Sequence, residues 1–251
     1  MTDTYLAVDL EMIVDQKLYK MHKSFDRTSD DRAKAIKRVQ AAAAFEFTLG
    51  SDGQIKTGPV ASWTEHGWGD EREVVSQLFE YIRERDHQII LTYGGVGTDV
   101  PVLLFAAMKN GLTLPRQWLH QPWVKGKRSH LDLEILLRNG SGNRHHLSQV
   151  MLRLGVPLEL VEQKASASFA DTAEGWQELQ DHCELDCLLL AVAKLAWMKA
   201  QGIDGIDYQA AVIALIAGFL RRRPEHRLAV ELQAYADDLQ LSMTAGFAMA
   251  A

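Results

Sequence analysis

Cysteine is nearly absent from this chain: Cys183 and Cys187 are the two among 251 residues. Their four-residue spacing matches no zinc or redox motif. It excludes a disulfide scaffold and leaves two reduced, buried thiols on one helix. Long apolar runs are also lacking. The longest near the C-terminus, 210–220, falls well short of the ~18 residues that a membrane span needs. Met1-Thr2-Asp3-Thr4 has no basic segment with an apolar one behind it, so no signal peptide is expected. Basic residues are not in excess: 27 Lys and Arg stand against 33 Asp and Glu, for a net charge of −6. That excludes a nucleic-acid footprint spread over the whole chain, though a local basic groove stays open. Internal repeats and low-complexity segments are missing as well. Together these absences predict a cytoplasmic, soluble protein without membrane contact. A hydrophobic content of 47% is ample for a core, and the length allows one large domain, or one with an appendage.

What is present is a sequence of alternating apolar patterns. Residues 5–11 (YLAVDLE) read as a short strand buried on both faces. Residues 12–24 read as irregular. Residues 29–39 carry helix signals: Ser29 as a cap, Asp30 and Asp31 in the first turn, basic residues later. Alanines 41–44 extend that helix or join the strand-like alternation of 45–49; the pattern leaves both open. Ser51-Asp52-Gly53 is a turn, with 55–63 the partner strand of a hairpin. An amphipathic helix follows at 70–85, a buried strand at 88–93, a glycine turn at 94–97 and a helix at 102–110 closed by Gly111. A loop at 118–128, a short strand at 129–133, a helix at 145–154 and a polar loop at 164–171 come next. Helical spacing then runs through 173–200, 208–220 and 225–239. Hairpin strands, then strand–helix alternation, then helices predict a mixed α/β sheet flanked by helices.

Three places carry chemistry. Asp9 and Glu11 are two apart on a strand, so both side chains leave the same face. Two acids side by side repel and are costly to bury unless a cation or a proton sits between them. Asp99 follows a buried strand and a glycine turn, at the end of a sheet where α/β proteins gather functional groups. Read alone, it serves equally well as a cap of the next helix. His182 and Asp186 lie four apart on a long helix and so share a face. An ordinary surface ion pair would have the same spacing. His145 and His146 read as loop or cap residues.

Taken in order, Val8-Asp9-Leu10-Glu11, then Thr92 to Leu103 (TYGGVGTDVPVL), then His182-Cys183-Glu184-Leu185-Asp186 resemble the three exonuclease motifs of the DEDD (DnaQ-like) 3′–5′ exonucleases. The likeness is greatest to the predicted exonucleases related to the proofreading domain of family-B DNA polymerases. Ser129-His130-Leu131-Asp132-Leu133 and the helix before Gly155-Val156-Pro157 are similar to that group too. The resemblance spans roughly 5–200. It implies a ribonuclease H-like fold, a mixed five-stranded sheet flanked by helices, over an exonuclease domain at 1–202. Residues 203–251 are then a helical C-terminal extension. It further implies metal ligation by Asp9, Glu11, Asp99 and Asp186. His182, one helical turn before Asp186 and with an unperturbed pKa of about 6.5, is the candidate catalytic base, the alternative being a group that only orients Asp186. The chain departs from the family pattern at Gly94, usually Asn, and at Thr98, usually aromatic. His182 also stands at the spacing usual for a tyrosine.

From this resemblance we expect two Mg²⁺ or Mn²⁺ ions, suited to oxygen ligands and phosphates. The expected partner is the 3′ end of single-stranded DNA or RNA, DNA favoured, with nucleoside 5′-monophosphates as products. Lys125, Lys127, Arg128, Arg138 and Arg144 are candidate phosphate contacts, and Arg221-Arg222-Arg223 is a denser basic cluster that equally complements a helix dipole. Two alternatives are a phosphodiesterase for short oligonucleotides or small nucleotides, and a non-catalytic nucleic-acid-binding protein of the same fold. Retention of all four acids speaks against the second. The apolar 208–220 helix must pack on something, either its own domain or a second copy in a homo-oligomer.

Overall fold

The computed structural model describes residues 3–25, 33–119, 129–138, 140, 142–162, 170–203 and 205–250. Strand β1 (Asp3–Val14) is the axis of a five-stranded mixed sheet of order β3-β2-β1-β4-β5. It pairs antiparallel with β2 (Lys37–Leu49) and parallel with β4 (Ile89–Thr92). β3 (Ile55–Thr64) completes the hairpin with β2, and β5 (His130–Asp132) lies parallel to β4. The side-chain period of two sorts β1 between two cores. Leu6, Val8 and Leu10 face one layer, made with α3 (Glu71–Glu84) and α4 (Asp99–Asn110). Tyr5 and Ala7 face the other, made with α9 (Ala173–Ala200) and α10 (Tyr208–Arg222). A strand covered on both faces explains the nearly continuous apolar run. The same alternation puts Asp9 and Glu11 on the α9 side.

The shorter elements fall between these. α1 (Gln16–Phe25) follows β1, a single 3₁₀ turn (Lys34–Ile36) precedes β2, and α2 (Glu65–Trp68) follows β3. α5 (Arg116–Leu119) comes before β5; α6 (Leu133–Arg138), α7 (Leu147–Arg153) and α8 (Leu158–Val161) come after it. α11 (Ala229–Ala250) ends the described chain. The sheet with flanking helices is the mixed α/β architecture expected, and no helix among the described residues is long and apolar enough to cross a membrane.

Two stretches and one helix start differ from the sequence reading, and the choice left open at 41–44 is decided. Residues 12–24 are not irregular: β1 runs on to Val14 opposite Lys37, and α1 starts at Gln16. Asp15 caps that helix, its Oδ1 accepting from the Lys17 and Leu18 amides at 3.0 Å each. Residues 33–39 are not helical beyond the 3₁₀ turn, because Ile36 and Val39 are claimed by the core and β2 has begun at Lys37; Ser29 lies outside the described residues. Alanines 41–44 are strand. Their helix propensity is overridden by tertiary packing: all four are fully covered, and their small side chains let helices close on both faces of β2. The last helix starts at Ala229, four residues late, because His226 and Arg227 are drawn into bonds with α9.

The C-terminal extension covers the hairpin. α10 buries Ala211, Val212, Leu215, Ile216 and Phe219 within its own chain, and Phe219 meets Phe45 edge-on at 5.8 Å. Gly218 lies so near β3 that a Cβ there would sit 2.1 Å from Thr57 Oγ1. The apolar face that raised the question of a second copy is therefore occupied internally.

β4 and β5 are tied by His130, whose Nε2 shares a 2.8 Å hydrogen bond with the Thr92 hydroxyl. Burial lowers the His130 pKa to about 4, with Asp132 pulling weakly the other way. Its folded pKa lies below the unfolded value of about 6.5, so protons bind the unfolded chain first as pH falls, and stability drops through that window. We expect a loss of about 2 kcal/mol from this residue between pH 7.5 and pH 5. His130→Gln should flatten that part of the profile, read from urea midpoints at the two pH values.

Candidate active site

Side chains from three elements meet at the carboxyl end of β1 and β4. A cleft of about 330 Å³ is lined by Asp9, Glu11, Asp99, His182 and Asp186, among others. All five residues singled out from sequence are thus brought together. An adjoining cavity of about 470 Å³ shares Asp9, Asp99 and Asp186 and extends to Tyr93, Glu134 and Arg144.

Each side chain arrives for a local reason. Asp9 and Glu11 come from the strand alternation. Immediately past Glu11 the β1–β2 register slips by one residue, a bulge that leaves Gln40 of β2 unpaired beside the cleft end of β1. Asp99 is the first residue of α4; the cap position is Thr98, and Asp99 is buried and faces the other acids. His182 and Asp186 project from one face of α9. His182 Nε2 lies 3.2 Å from Glu11 Oε1 and 3.6 Å from Asp186 Oδ2. Behind them, Cys183 donates from Sγ to the Asp9 carbonyl at 3.3 Å and joins α9 to β1. Both cysteines are free and buried, as read.

The acids strain one another. Burial pushes the Asp9 carboxyl well above its usual range, and the nearby Asp186, Glu11 and Asp99 charges push it further. Asp99 is raised to about 7, by burial first and then by Asp132 and Glu11, with Lys34 opposing. Asp9 Oδ2 is buried without any hydrogen-bond partner. Glu11, His182 and Asp186 each offer a ligand atom within 4.8 Å of the others. A buried orphan oxygen among converging carboxylates is what a divalent cation would satisfy, and the oxygen-rich donor set suits a hard ion.

Sequence reasoning passed over Asp132. It accepts from the Gly94 and Val96 amides at 2.8 Å each, and from Glu134 N at 3.1 Å. One carboxylate at the end of β5 thereby pins the glycine turn that delivers Asp99. The segment 129–133 was seen as a family likeness, but nothing in its spacing marks Asp132 as the keystone of another segment's turn. Gly94 sits at φ +72°. This left-handed region is open to glycine and, among other residues, most readily to asparagine, which explains why either serves there.

Of the candidate phosphate contacts, Arg144 lines the larger cavity. Arg138 instead pairs with Glu134 at 2.9 Å. Lys125, Lys127 and Arg128 lie outside the described residues. His146 is the cap of α7, as expected. On the opposite face of α9, Arg223 bridges Asp181 at 3.3 Å and Glu184 at 2.5 Å. His226 donates from Nε2 to the Asp181 carbonyl at 2.9 Å, and Ser62 donates to Glu184 at 2.5 Å. This buried network ties the C-terminal extension to the helix that bears His182 and Asp186.

The Asp132 arrangement has a measurable consequence. Asp132→Asn keeps the shape but sets an amide donor against a backbone N–H. We expect it to lower stability by roughly 2 kcal/mol and to weaken Mn²⁺ affinity by roughly 10–100-fold through the displaced turn. Chemical denaturation and Mn²⁺ titration by electron paramagnetic resonance check the two effects separately.

Comparison with known proteins gives the direction of relatedness. Residues 32–235 match the family described as predicted 3′–5′ exonuclease related to the exonuclease domain of PolB. The matched span includes Asp99, His182 and Asp186, begins after Asp9 and Glu11, and runs past residue 202 into the extension. DNA polymerase 1 of Pyrococcus abyssi is 47% identical over 45 residues, 18% of this chain and 6% of the polymerase. The match thus spans only a small part of that relative. The family B DNA polymerase of Pyrobaculum calidifontis aligns over 87% of this chain and 28% of its own, at 18% identity and a TM-score of 0.47. The Nibbler EXO domain of Aedes aegypti aligns over 85% of this chain and 86% of its own, at 14% identity and a TM-score of 0.43. With about four fifths of its length matched by the family, the chain belongs to the predicted 3′–5′ exonucleases related to the exonuclease domain of PolB.

Proposed function

We propose that this protein is a metal-dependent 3′–5′ exonuclease that removes nucleoside 5′-monophosphates from single-stranded nucleic acid, DNA favoured. The observation that carries the reading is the convergence of Asp9, Glu11, Asp99, His182 and Asp186 on one cleft, with Asp9 Oδ2 buried and unpartnered. Family membership supplies the direction of hydrolysis. The adjoining cavity of about 470 Å³ is near the low end of ligand-pocket sizes, which suits one unpaired nucleotide at a time.

Asp9, Glu11, Asp99 and Asp186 would hold two Mg²⁺ or Mn²⁺ ions. When bound, the ions supply Lewis acidity toward the attacking water and neutralise charge on the leaving oxygen. The chain's own groups do the rest. His182 would take the water's proton as general base, its ring placed in the cleft 3.2 Å from Glu11 and 3.6 Å from Asp186. Arg144, on the cavity wall, neutralises a substrate phosphate. Asp132 keeps Asp99 in place from below. The C-terminal extension from 203 onward acts as part of the scaffold. A homo-oligomer through the C-terminal helices would use α11, where Val230 and Leu241 are exposed, and light scattering at micromolar concentration tests it.

Two sets of variants test the reading on labelled single- and double-stranded DNA and RNA with Mg²⁺, Mn²⁺ or EDTA. Asp9→Ala and Asp99→Ala should each abolish metal-dependent hydrolysis. Neither should lower the melting temperature of the metal-free protein, since each removes a buried carboxyl that burial and the neighbouring acids disfavour. Near-wild-type turnover by either variant would sink the metal site. His182→Ala should lose roughly 10²–10⁴-fold in rate, not restored at saturating Mn²⁺. Full rescue by Mn²⁺ would instead make His182 a group that orients the ligands.

A further inference from the structure

Among the described helices of eight or more residues, α1 alone buries none of its side chains. Ten residues are too few for a stable isolated helix in water. The Asp15 cap anchors α1 at its start, backed by a 2.8 Å bond from Tyr19 N to the Asp15 carbonyl. The composition is one-sided: Lys17, Lys20, His22 and Lys23 with no acid, in a chain of net charge −6. At 100° per residue the three lysines share one side, while Leu18, Met21 and Phe25 form a stripe on another. These three apolar residues are 39%, 57% and 77% exposed.

The place of α1 explains the composition. β1 carries Asp9 and Glu11 and leads directly into it. Glu11 and Gln16 are five residues apart, roughly 16 Å at the rise of a strand. The cleft wall continues along this strand past Glu11 to Met12. Lys37 stands opposite Val14 in the register, and Lys34 is in the turn just before it. Burial and the neighbouring Lys37 and Arg144 charges hold the Lys34 amine below its usual range, while Asp99 attracts it. Cations thus lead from the cavity wall outward along the end of β1 to α1.

We propose that α1, with Lys34 and Lys37, holds the part of a single-stranded nucleic acid that lies upstream of the scissile nucleotide. The lysines take its phosphates, and Leu18, Met21 and Phe25 take its bases. This deepens the exonuclease reading and rests on it for the direction of the strand. A basic, apolar-striped helix also suits an anionic lipid surface. The continuity of its charge with Lys34 and Lys37 beside the cleft favours the strand, since a membrane anchor has no need of a track leading to the carboxylates. Sequence-tolerant binding of this kind combines a basic groove with apolar or aromatic platforms for the bases.

The test uses the whole chain, with fluorescein-labelled dT20 and rU20 in EDTA, so that binding is read without hydrolysis. Lys17→Glu/Lys20→Glu should weaken binding at least tenfold and reduce the slope of log affinity against log salt by about 1.4. Met21→Ser/Phe25→Ser should weaken binding with the salt slope kept. In Mn²⁺, the preference for hydrolysing dT20 over dT2 should fall at least tenfold in the charge-reversal variant. Circular dichroism confirms that both variants are folded, as surface changes on a capped helix should be. Unchanged affinity and salt slope in both variants would overturn the proposal. So would α1-dependent binding to phosphatidylserine vesicles without α1-dependent binding to either oligonucleotide, or a change of mass in light scattering as the only effect. If the wild type binds dT20 through α1 but hydrolyses neither dT20 nor dT2, the strand-binding surface stands and the exonuclease reading falls.

Discussion

Like charges crowded into one partly buried cleft are the constraint that the rest of this structure answers. Asp9, Glu11, Asp99 and Asp186 would separate if free to do so, and without a cation the Asp9 carboxyl is driven far toward its neutral form. Holding them requires elements that cannot yield. β1 is sealed by apolar cores on both faces, and α9 lies buried along much of its length. The Cys183 thiol joins the two at Asp9 itself. The flexible part of the arrangement, the glycine turn before Asp99, is pinned from outside by Asp132. Rigid packing converts electrostatic repulsion into a standing demand for positive charge, which is a reason to build such a cleft on packed strands and helices rather than on a loop.

Some of this was written plainly in the sequence. A period of two fixes the shared face of Asp9 and Glu11, and a period near 3.6 fixes that of His182 and Asp186; both are local geometry, indifferent to what surrounds them. The bounds of α9 and the apolar stripe of α3 are legible for the same reason. The open and missed readings have a common cause. Alanines 41–44 favour a helix in isolation and are strand here because two layers close on them. Asp132 takes its role from amides distant in the chain, and no spacing records such partners; Arg138, by contrast, pairs with Glu134 four residues back on the same helix, a partner that the spacing does offer. α1 was missed because its signal is short, although Asp15 as cap and the Leu18, Met21, Phe25 spacing were there to be read.

The departures at the second motif also become intelligible. At Gly94 the backbone must turn left-handed while offering its amide to Asp132. Glycine meets that demand by having no Cβ, asparagine by tolerating the conformation, so the two are exchangeable without moving Asp99. Thr98, standing where an aromatic is usual, caps α4 without a side-chain hydrogen bond and lines both the cleft and the cavity. A smaller side chain at that point leaves more of the wall open toward Arg144.

The clamp of Arg223 on Asp181 and Glu184 bears on how separable the parts of this protein are. Exchange of modules between proteins works when a cut leaves nothing behind that only the lost piece could satisfy. A chain shortened to residue 202 would keep the whole sheet and every acid of the cleft. It would also strand two carboxylates inside the fold with their counter-ion gone, one helical turn from His182 and Asp186. The C-terminal helices thus carry the counter-charge of two buried acids on α9.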